Sequence, residues 1–338
     1  MTLLAILAAG PATSLQDSGR FGWQRFGVGP AGAMDRASLG LANALVGNGP
    51  GAAAIEFALA GGRLKVEGGT ARVALTGAEC TLKIDGAAIS SFTSASAREG
   101  QTIEVGSARS GVFAYLAVAG ELAVPPTLGS ISLHHRTGVG GLGGRSLRAG
   151  DRLPLLLAEP SGPERALPGA IQAQSGPIRV VLGPQEDYFT ASAIATLVEQ
   201  EYRISDQADR MGVRLTGPKL EHSAKGYNIV SDGIPTGAIQ VPGNGMPLIL
   251  LADRQTTGGY PKIATVIGAD LPRLAQSRPG TKLRFKTVER PEAVRIAKAV
   301  DQAERELFAS IRSAGLASLD SSELLALNLV DGVVDARG

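Results

Sequence analysis

Short apolar runs recur along the chain, each cut off by Gly, Pro, Asp or Asn. They fall at residues 1–9, 71–76, 82–84, 102–105, 112–119, 178–182, 213–216, 238–241, 248–251, 264–267 and 283–286. At several places their spacing is about 8–12 residues, the rhythm of a barrel or sandwich. Asp85-Gly86 and Asp232-Gly233 have the form of hairpin turns. Helical periodicity is rarer. Residues 34–46 place Met34, Ala37, Leu41, Ala42 and Leu45 on one face, and Gly47-Asn48-Gly49-Pro50 stops the pattern. Residues 187–202 and 271–276 are shorter candidates, the second with Pro272 near its first turn. Residues 291–312 carry a long stripe through Ala293, Ile296, Ala297, Val300, Leu307, Phe308 and Ile311, ended by Gly315. The pattern predicts a mainly β fold with a few short helices and a C-terminal helix.

Residues 158–177 concentrate Pro160, Pro163, Pro168 and Pro177 with Gly162, Gly169 and Gly176, and read as a linker. They divide the chain into a first β domain at 1–160, a second at 176–290 and a helical tail at 291–338. The halves echo each other. Leu75-Thr76-Gly77 recurs as Leu215-Thr216-Gly217. A turn-into-strand phrase, Arg-x-Gly-x-x-apolar-x-apolar, begins at Arg98, Arg148 and Arg278. Its recurrence favours two related β-barrels.

Composition narrows the function. Gly is 45 of 338 residues, which disfavours a helix-rich protein. Lys plus Arg is 33 against Asp plus Glu 31, a net charge of +2. Residues 1–160 carry 13 basic and 11 acidic side chains, and 161–338 carry 20 of each. With no basic stripe, nucleic acid is a poor expectation. Cys80 is the single cysteine, so neither an intrachain disulfide nor a Cys-based zinc site is expected, and it reads as a packing residue. No metal site is expected. Residues 1–9 lack a charged n-region and no run reaches 18 apolar residues, so a cytoplasmic protein with no membrane contact is the expectation.

Familiar motifs fail on context. Gly138-x-Gly140-x-x-Gly143 fits a dinucleotide fingerprint as a string, but no strand precedes it and no helix follows. His134 and His135 are adjacent, so they do not share one face as joint ligands, though one could line a cavity. His222 reads as solvated. Ala33-Met34-Asp35 resembles a biotin-attachment string with Asp where the Lys is required, so the chain carries no covalent biotin.

Two glycine-rich stretches carry candidate chemistry. The first runs from Gln16 through Asp17 and Arg20 to Asp35. It reads either as a ligand loop that offers backbone N–H groups or as a tight barrel corner held by Asp17 and Arg20. The second joins a strand bearing Gln240 to Asp253-Arg254-Gln255-Thr256-Thr257-Gly258-Gly259-Tyr260-Pro261-Lys262. Its donors and acceptors suit an amide or ureido group, and Gly258-Gly259 lets backbone approach it.

These stretches resemble the carboxyltransferase subdomain A/B family, which includes 5-oxoprolinase subunits, urea carboxylase carboxyltransferase regions and allophanate-hydrolase-subunit-2-like proteins. The carriers are Gln16-Asp-Ser-Gly-Arg20, Gly32-Ala-Met-Asp35, Leu41-Ala-Asn-Ala-Leu45 with Gly47-Asn48, Glu56, Tyr115-Leu-Ala-Val118 and Gly129-Ser130. Arg210-Met-Gly212, Leu215-Thr-Gly217, Gly237-x-Ile-Gln-Val-Pro242 and Asp253-x-Gln-Thr-Thr-Gly-Gly-Tyr-Pro261 follow in order. Departures fall at Gly120-Glu121, Asp232, the 138–144 loop and the 242–245 turn.

The resemblance implies two cyclophilin-like β-barrel domains and a partner of related, cyclophilin-like fold, the B-type component of such assemblies. It points first to the ATP-dependent opening of the 5-oxoproline lactam, with this chain as the C-type component beside A-type and B-type partners. ATP would act in the assembled complex, its site left open among the components. Asp253, Gln255 and Lys262 are then the catalytic candidates. Gln240, Thr256, Thr257, Gly258, Gly259, Tyr260, Asp17 and Arg20 are the substrate-binding ones. Two alternatives stay open: a biotin-dependent carboxyltransferase half, and a non-enzymatic antagonist that sequesters a B-type inhibitor of a kinase.

Overall fold

The computed structural model describes residues 1–156, 162–169 and 175–314. Its strands build two face-to-face sheets from the first part of the chain and one curled sheet from the second. The six-stranded sheet contains Leu3–Ala9, Gly62–Glu67, Leu82–Ile84, Ala87–Ile89, Thr102–Val105 and Arg152–Pro154. The five-stranded sheet contains Ser14–Gln16, Ala54–Ala58, Thr70–Glu79, Ser94–Arg98 and Ser110–Val118. Side-chain alternation explains how the second sheet serves two cores. Along Ser110–Val118, Ala114, Leu116 and Val118 pack with Leu4, Val66 and Ile103 between the sheets. Phe113, Tyr115 and Ala117 face the other way, onto Leu41 and Leu45 of helix α1 (Arg36–Val46).

The later strands form an eight-stranded sheet that nearly closes into a barrel. Closure depends on one bent segment. Lys282–Leu283 pairs with Tyr202–Ala208 at one edge, and Phe285–Thr287 pairs in parallel with Ile178–Leu182 at the other. Both edges are thereby covered by neighbouring residues of one segment, leaving few open backbone groups. The core holding Leu41 and Leu45 runs on without interruption to Val180, Leu215, Ile239 and Ile249 of this barrel.

Helix α1 begins later than its periodicity suggests, because Asp35 caps it. The Asp35 carboxylate accepts from Ser38 N at 3.0 Å and from Ser38 Oγ at 2.7 Å. Gly47, left-handed at φ 91°, ends the helix. Helices α2 (Ala191–Glu199), capped by Thr190, and α3 (Leu271–Ala275) are shorter than their expected ranges. Tyr202 leaves the helix for a strand because its ring is buried against Phe285. Helix α4 (Arg290–Ala309) buries no residue fully, but Leu307 and Phe308 pack against the main core.

Three expectations are corrected. Asp85-Gly86 does turn a hairpin between Leu82–Ile84 and Ala87–Ile89. Asp232-Gly233 does not: it is a strand paired with Thr257–Gly258. The proline-rich stretch expected to be a linker holds a strand, Arg165–Ala166, paired with Arg312–Ser313, and Ala166 and Leu167 are buried. Residues 157–161 and 170–174 of that stretch, and Gly315, lie outside the described residues. His222 is not solvated but half-buried, with Nε2 3.0 Å from the Val241 carbonyl and its ring against Phe189. Cys80 packs, half-buried, on the first core. Among the described residues no helix is long and apolar enough to cross a membrane.

Asp35 also accepts from Gln276 Nε2 at 2.8 Å, tying α1 to the second part of the chain. Asp35→Ala is expected to lower stability by about 1–2 kcal/mol, the usual cost of losing a cap. A urea titration checks this, and an unchanged midpoint would refute the capping role.

Candidate active site

A lone carboxylate in an apolar strand must find a partner or remain protonated. Glu56, in Ala54–Ala58, is such a group and is fully buried. Its partner is Arg210, which arrives from the turn before Gly212–Thr216. Arg210 Nη1 pairs with Glu56 Oε1, and Nη2 donates to the Gly32 carbonyl at 2.6 Å. The guanidinium also meets Asp253, with Nε to Oδ2 at 3.1 Å and Nη2 to Oδ1 at 3.0 Å. Glu56 Oε2 accepts further from Met34 N at 3.0 Å and Tyr115 Oη at 2.8 Å. One cation thus joins a strand, the 32–34 turn and the 253 loop.

His135 completes the set. Asp253 Oδ2 lies 3.1 Å from His135 N and 3.2 Å from its Nδ1. His135 Nε2 is buried and has no hydrogen-bond partner among the described residues. His134 is buried beside it, with Nε2 turned towards Gly29, where a Cβ would come within 2.9 Å of that nitrogen. Burial lowers the pKa of His134, partly offset by Asp253. Burial also opposes charge on Asp253, but Arg210 and then His135 outweigh it and hold the carboxyl well below its usual range. Burial likewise opposes the Arg210 charge, and Glu56 and Asp253 overcome it, raising its pKa.

The other candidate residues fall into three places. Gln240, Gln255 and Gly258 converge: a Cβ on Gly258 would lie 2.8 Å from Gln240 Nε2 and 3.5 Å from Gln255 Nε2. Gln240 is buried and donates to the Tyr260 carbonyl at 3.2 Å. Gln255, Thr257 and Tyr260 are exposed, while Thr256 and Gly259 are half-buried and accept from Ile234 N and Ile229 N. Lys262 lies cross-strand from Gln240, and its partner Asp232 lies cross-strand from Gly258. The Lys262 side chain is 0% exposed and its Nζ pairs with Asp232 at 2.9 Å. Asp232 accepts further from Gln185 at 3.1 Å, and Lys262 lowers its pKa. Asp17 and Arg20 lie beside residues 127–132 instead. Both Asp17 oxygens are occupied, by Gly19 N, Ser130 Oγ, Ser132 Oγ and Ile131 N.

A cavity of about 1050 Å³ is lined by Phe21, Met34, Asp35, Leu251, Gln276 and Glu304 among others. None of Gln240, Gln255, Gly258 or Lys262 borders it. His135, unlike Glu56 and Arg210, lies in no signature phrase. The only cue to it is a polar pair following Ile131-Ser132-Leu133 in a chain with three histidines.

Residues 26–287 match the carboxyltransferase domain, subdomain A and B, and the chain belongs to that family. Among individual proteins, it is 38% identical over 295 residues to the C subunit of 5-oxoprolinase from Escherichia coli (strain K12), covering 87% of this chain and 94% of that protein. It is 30% identical over 347 residues to urea amidolyase of Saccharomyces cerevisiae, covering 96% of this chain but 18% of that protein. The fold matches the K. lactis urea amidolyase structure with a TM-score of 0.84 at 28% identity, over 95% of this chain and 20% of that one. It matches TTHA0988 with a TM-score of 0.76 at 36% identity, over 85% of this chain and 55% of that one.

Arg210→Ala would strand two buried carboxylates, so a loss of about 3–5 kcal/mol is expected. The depressed Asp253 pKa sets a pH dependence. Its contribution is present above the ordinary carboxylate pKa of about 4 and is lost as pH falls towards the folded value. Wild type should lose stability progressively below about pH 4, and Asp253→Asn should flatten that slope. Acid titrations of unfolding check both, and equal slopes would refute the role of Asp253.

Proposed function

We propose that this chain is a component of a 5-oxoprolinase-type hydrolase, opening the 5-oxoproline lactam to glutamate. The supporting observation is end-to-end likeness. The chain covers 94% of the E. coli 5-oxoprolinase C subunit but only 18% of the yeast urea amidolyase. It would work with A-type and B-type partners in a cytoplasmic, ATP-dependent complex. ATP would activate the lactam oxygen, with its site on this chain or a partner.

A lactam offers one carbonyl acceptor and one N–H donor. The side-chain amides of Gln240 and Gln255 supply the complement, and the absence of a side chain at Gly258 keeps the space between them open. Thr257 and Tyr260 border this surface. Asp253 is committed to Arg210 and His135, so we assign it to holding the imidazole. His135, through its unpartnered Nε2, is then the group assigned to proton transfer. Lys262, fully buried against Asp232, is assigned to fixing the strand that follows Tyr260. Covalent biotin on this chain is not part of the reading, since Asp35 occupies the position a lysine would need and caps α1.

Reconstitution with the A-type and B-type partners tests this. ATP-dependent glutamate release that requires this chain is the expected result, and its absence would overturn the reading. Carboxyl transfer from carboxybiotin to urea instead would favour the carboxyltransferase alternative. Gln240→Ala should lower kcat/KM by about 10- to 100-fold, the loss of one or two buried hydrogen bonds.

A further inference from the structure

Arg20 is a buried cation with no direct ion pair among the described residues. It is 2% exposed, and no carboxylate among the described residues lies within ion-pair distance of it. Burial lowers its pKa, and the fields of Asp17 and Asp253 offset this only in part; both Asp17 oxygens are taken by hydroxyls and amides. The guanidinium meets only carbonyls: Nε points at Thr127 O at 3.4 Å and Nη2 donates to Ser132 O. Nη1 is buried and has no hydrogen-bond partner among the described residues. Burying an uncompensated charge is costly, so an absent anion is the natural complement.

A pocket of about 430 Å³ lies beyond the residues that Arg20 touches, and Arg20 itself does not line it. Thr127 and the glycine-rich loop at 138–144 line it. Arg20 touches two of the lining residues: it bonds to Thr127, and a Cβ on Gly140 would collide with Nη2. Gly138, Gly140, Gly141, Gly143 and Gly144 all have φ between 60° and 81°, so the backbone itself forms the wall. The amides of Gly138, Gly141 and Gly144 donate within the fold, to His134, Ile131 and Gly140 carbonyls. Those of Gly140 and Gly143 donate to nothing among the described residues.

The geometry points to an oxyanion-binding site in this pocket, in which the Gly140 and Gly143 amides receive a carboxylate or phosphate group and the Arg20 charge, packed against the inner side of the loop, supplies the positive field. This is independent of the reaction assigned above. It also gives a use to a loop whose spacing imitates a dinucleotide fingerprint without the strand and helix such a site needs.

Calorimetric titration of the full chain with orthophosphate and with acetate, at matched ionic strength, tests the site. Uncharged 2-pyrrolidinone serves as the control. Saturable binding of either anion is expected, weakened at least tenfold by Arg20→Gln and by Gly143→Asn. Asn tolerates the left-handed backbone, and the space around Gly143 is open, so this second variant folds even where the first does not. Preference for phosphate assigns a phosphoryl group, and competition between acetate and 5-oxoproline assigns a substrate carboxylate. No saturable binding, or wild-type binding in Gly143→Asn, overturns the site. Neither result bears on glutamate release, so the two readings fail separately.

Discussion

The structure depends on one buried arginine. Arg210 neutralises Glu56 on the first β layer and Asp253 at the end of a barrel strand, and holds the Gly32 carbonyl between them. Removing these charges from water is expensive, and only near-complete pairing offsets the cost. The pairing is near-complete here: both carboxylates are shared with further donors, Tyr115 and Met34 on one side and His135 on the other. Such a network tolerates little displacement, so it fixes the register between the two sheet systems more tightly than the apolar contacts of α1 could alone.

That fixed register has a chemical consequence. Asp253 is held ionised and directed, and His135 is presented with one nitrogen bound and the other unpartnered. The next residues, Gln255 to Tyr260, leave the core and carry their polar groups to the surface. Backbone bonds to Ile234 and Ile229 steady that segment without using its side chains. A rigid charged anchor is therefore followed within a few residues by adaptable donors and acceptors, the division of labour a binding loop on a barrel requires.

Much of this is legible in the residues. Period-two alternation marks most strands, and the Gly47 stop and the stripe along α4 mark two helices. The signature phrases contain Glu56, Arg210 and Asp253, although nothing local says that they meet. Glu56 and Arg210 are 154 positions apart, and a pairing at that separation leaves no periodic trace. Asp232-Gly233 departs from its turn-like spelling for the same reason: its conformation is imposed by Thr257–Gly258 across the sheet, which overrides local preference. His135 escapes the pattern because adjacency separates two side chains only on a regular strand. Residues 134–139 form an irregular turn, and there neighbouring side chains can reach one site.

Commitment of partners separates the polar residues better than their chemical type does. Asp17, Asp253 and Lys262 are all ionisable and all stand in or beside glycine-rich signatures, yet each is already paired with groups of this chain. A saturated charge shapes a site, and an unsaturated one is available to a ligand. On that criterion the candidates for the proposed site narrow to His135, Gln255 and the surface around Gly258, with Arg20 as a separate cation whose Nη1 has no partner among the described residues. The glycines follow the same logic: Gly258 leaves room beside two glutamines, and Gly140 lets a buried guanidinium lie against the main chain. A side chain at either position would fill the space that the uncommitted groups face.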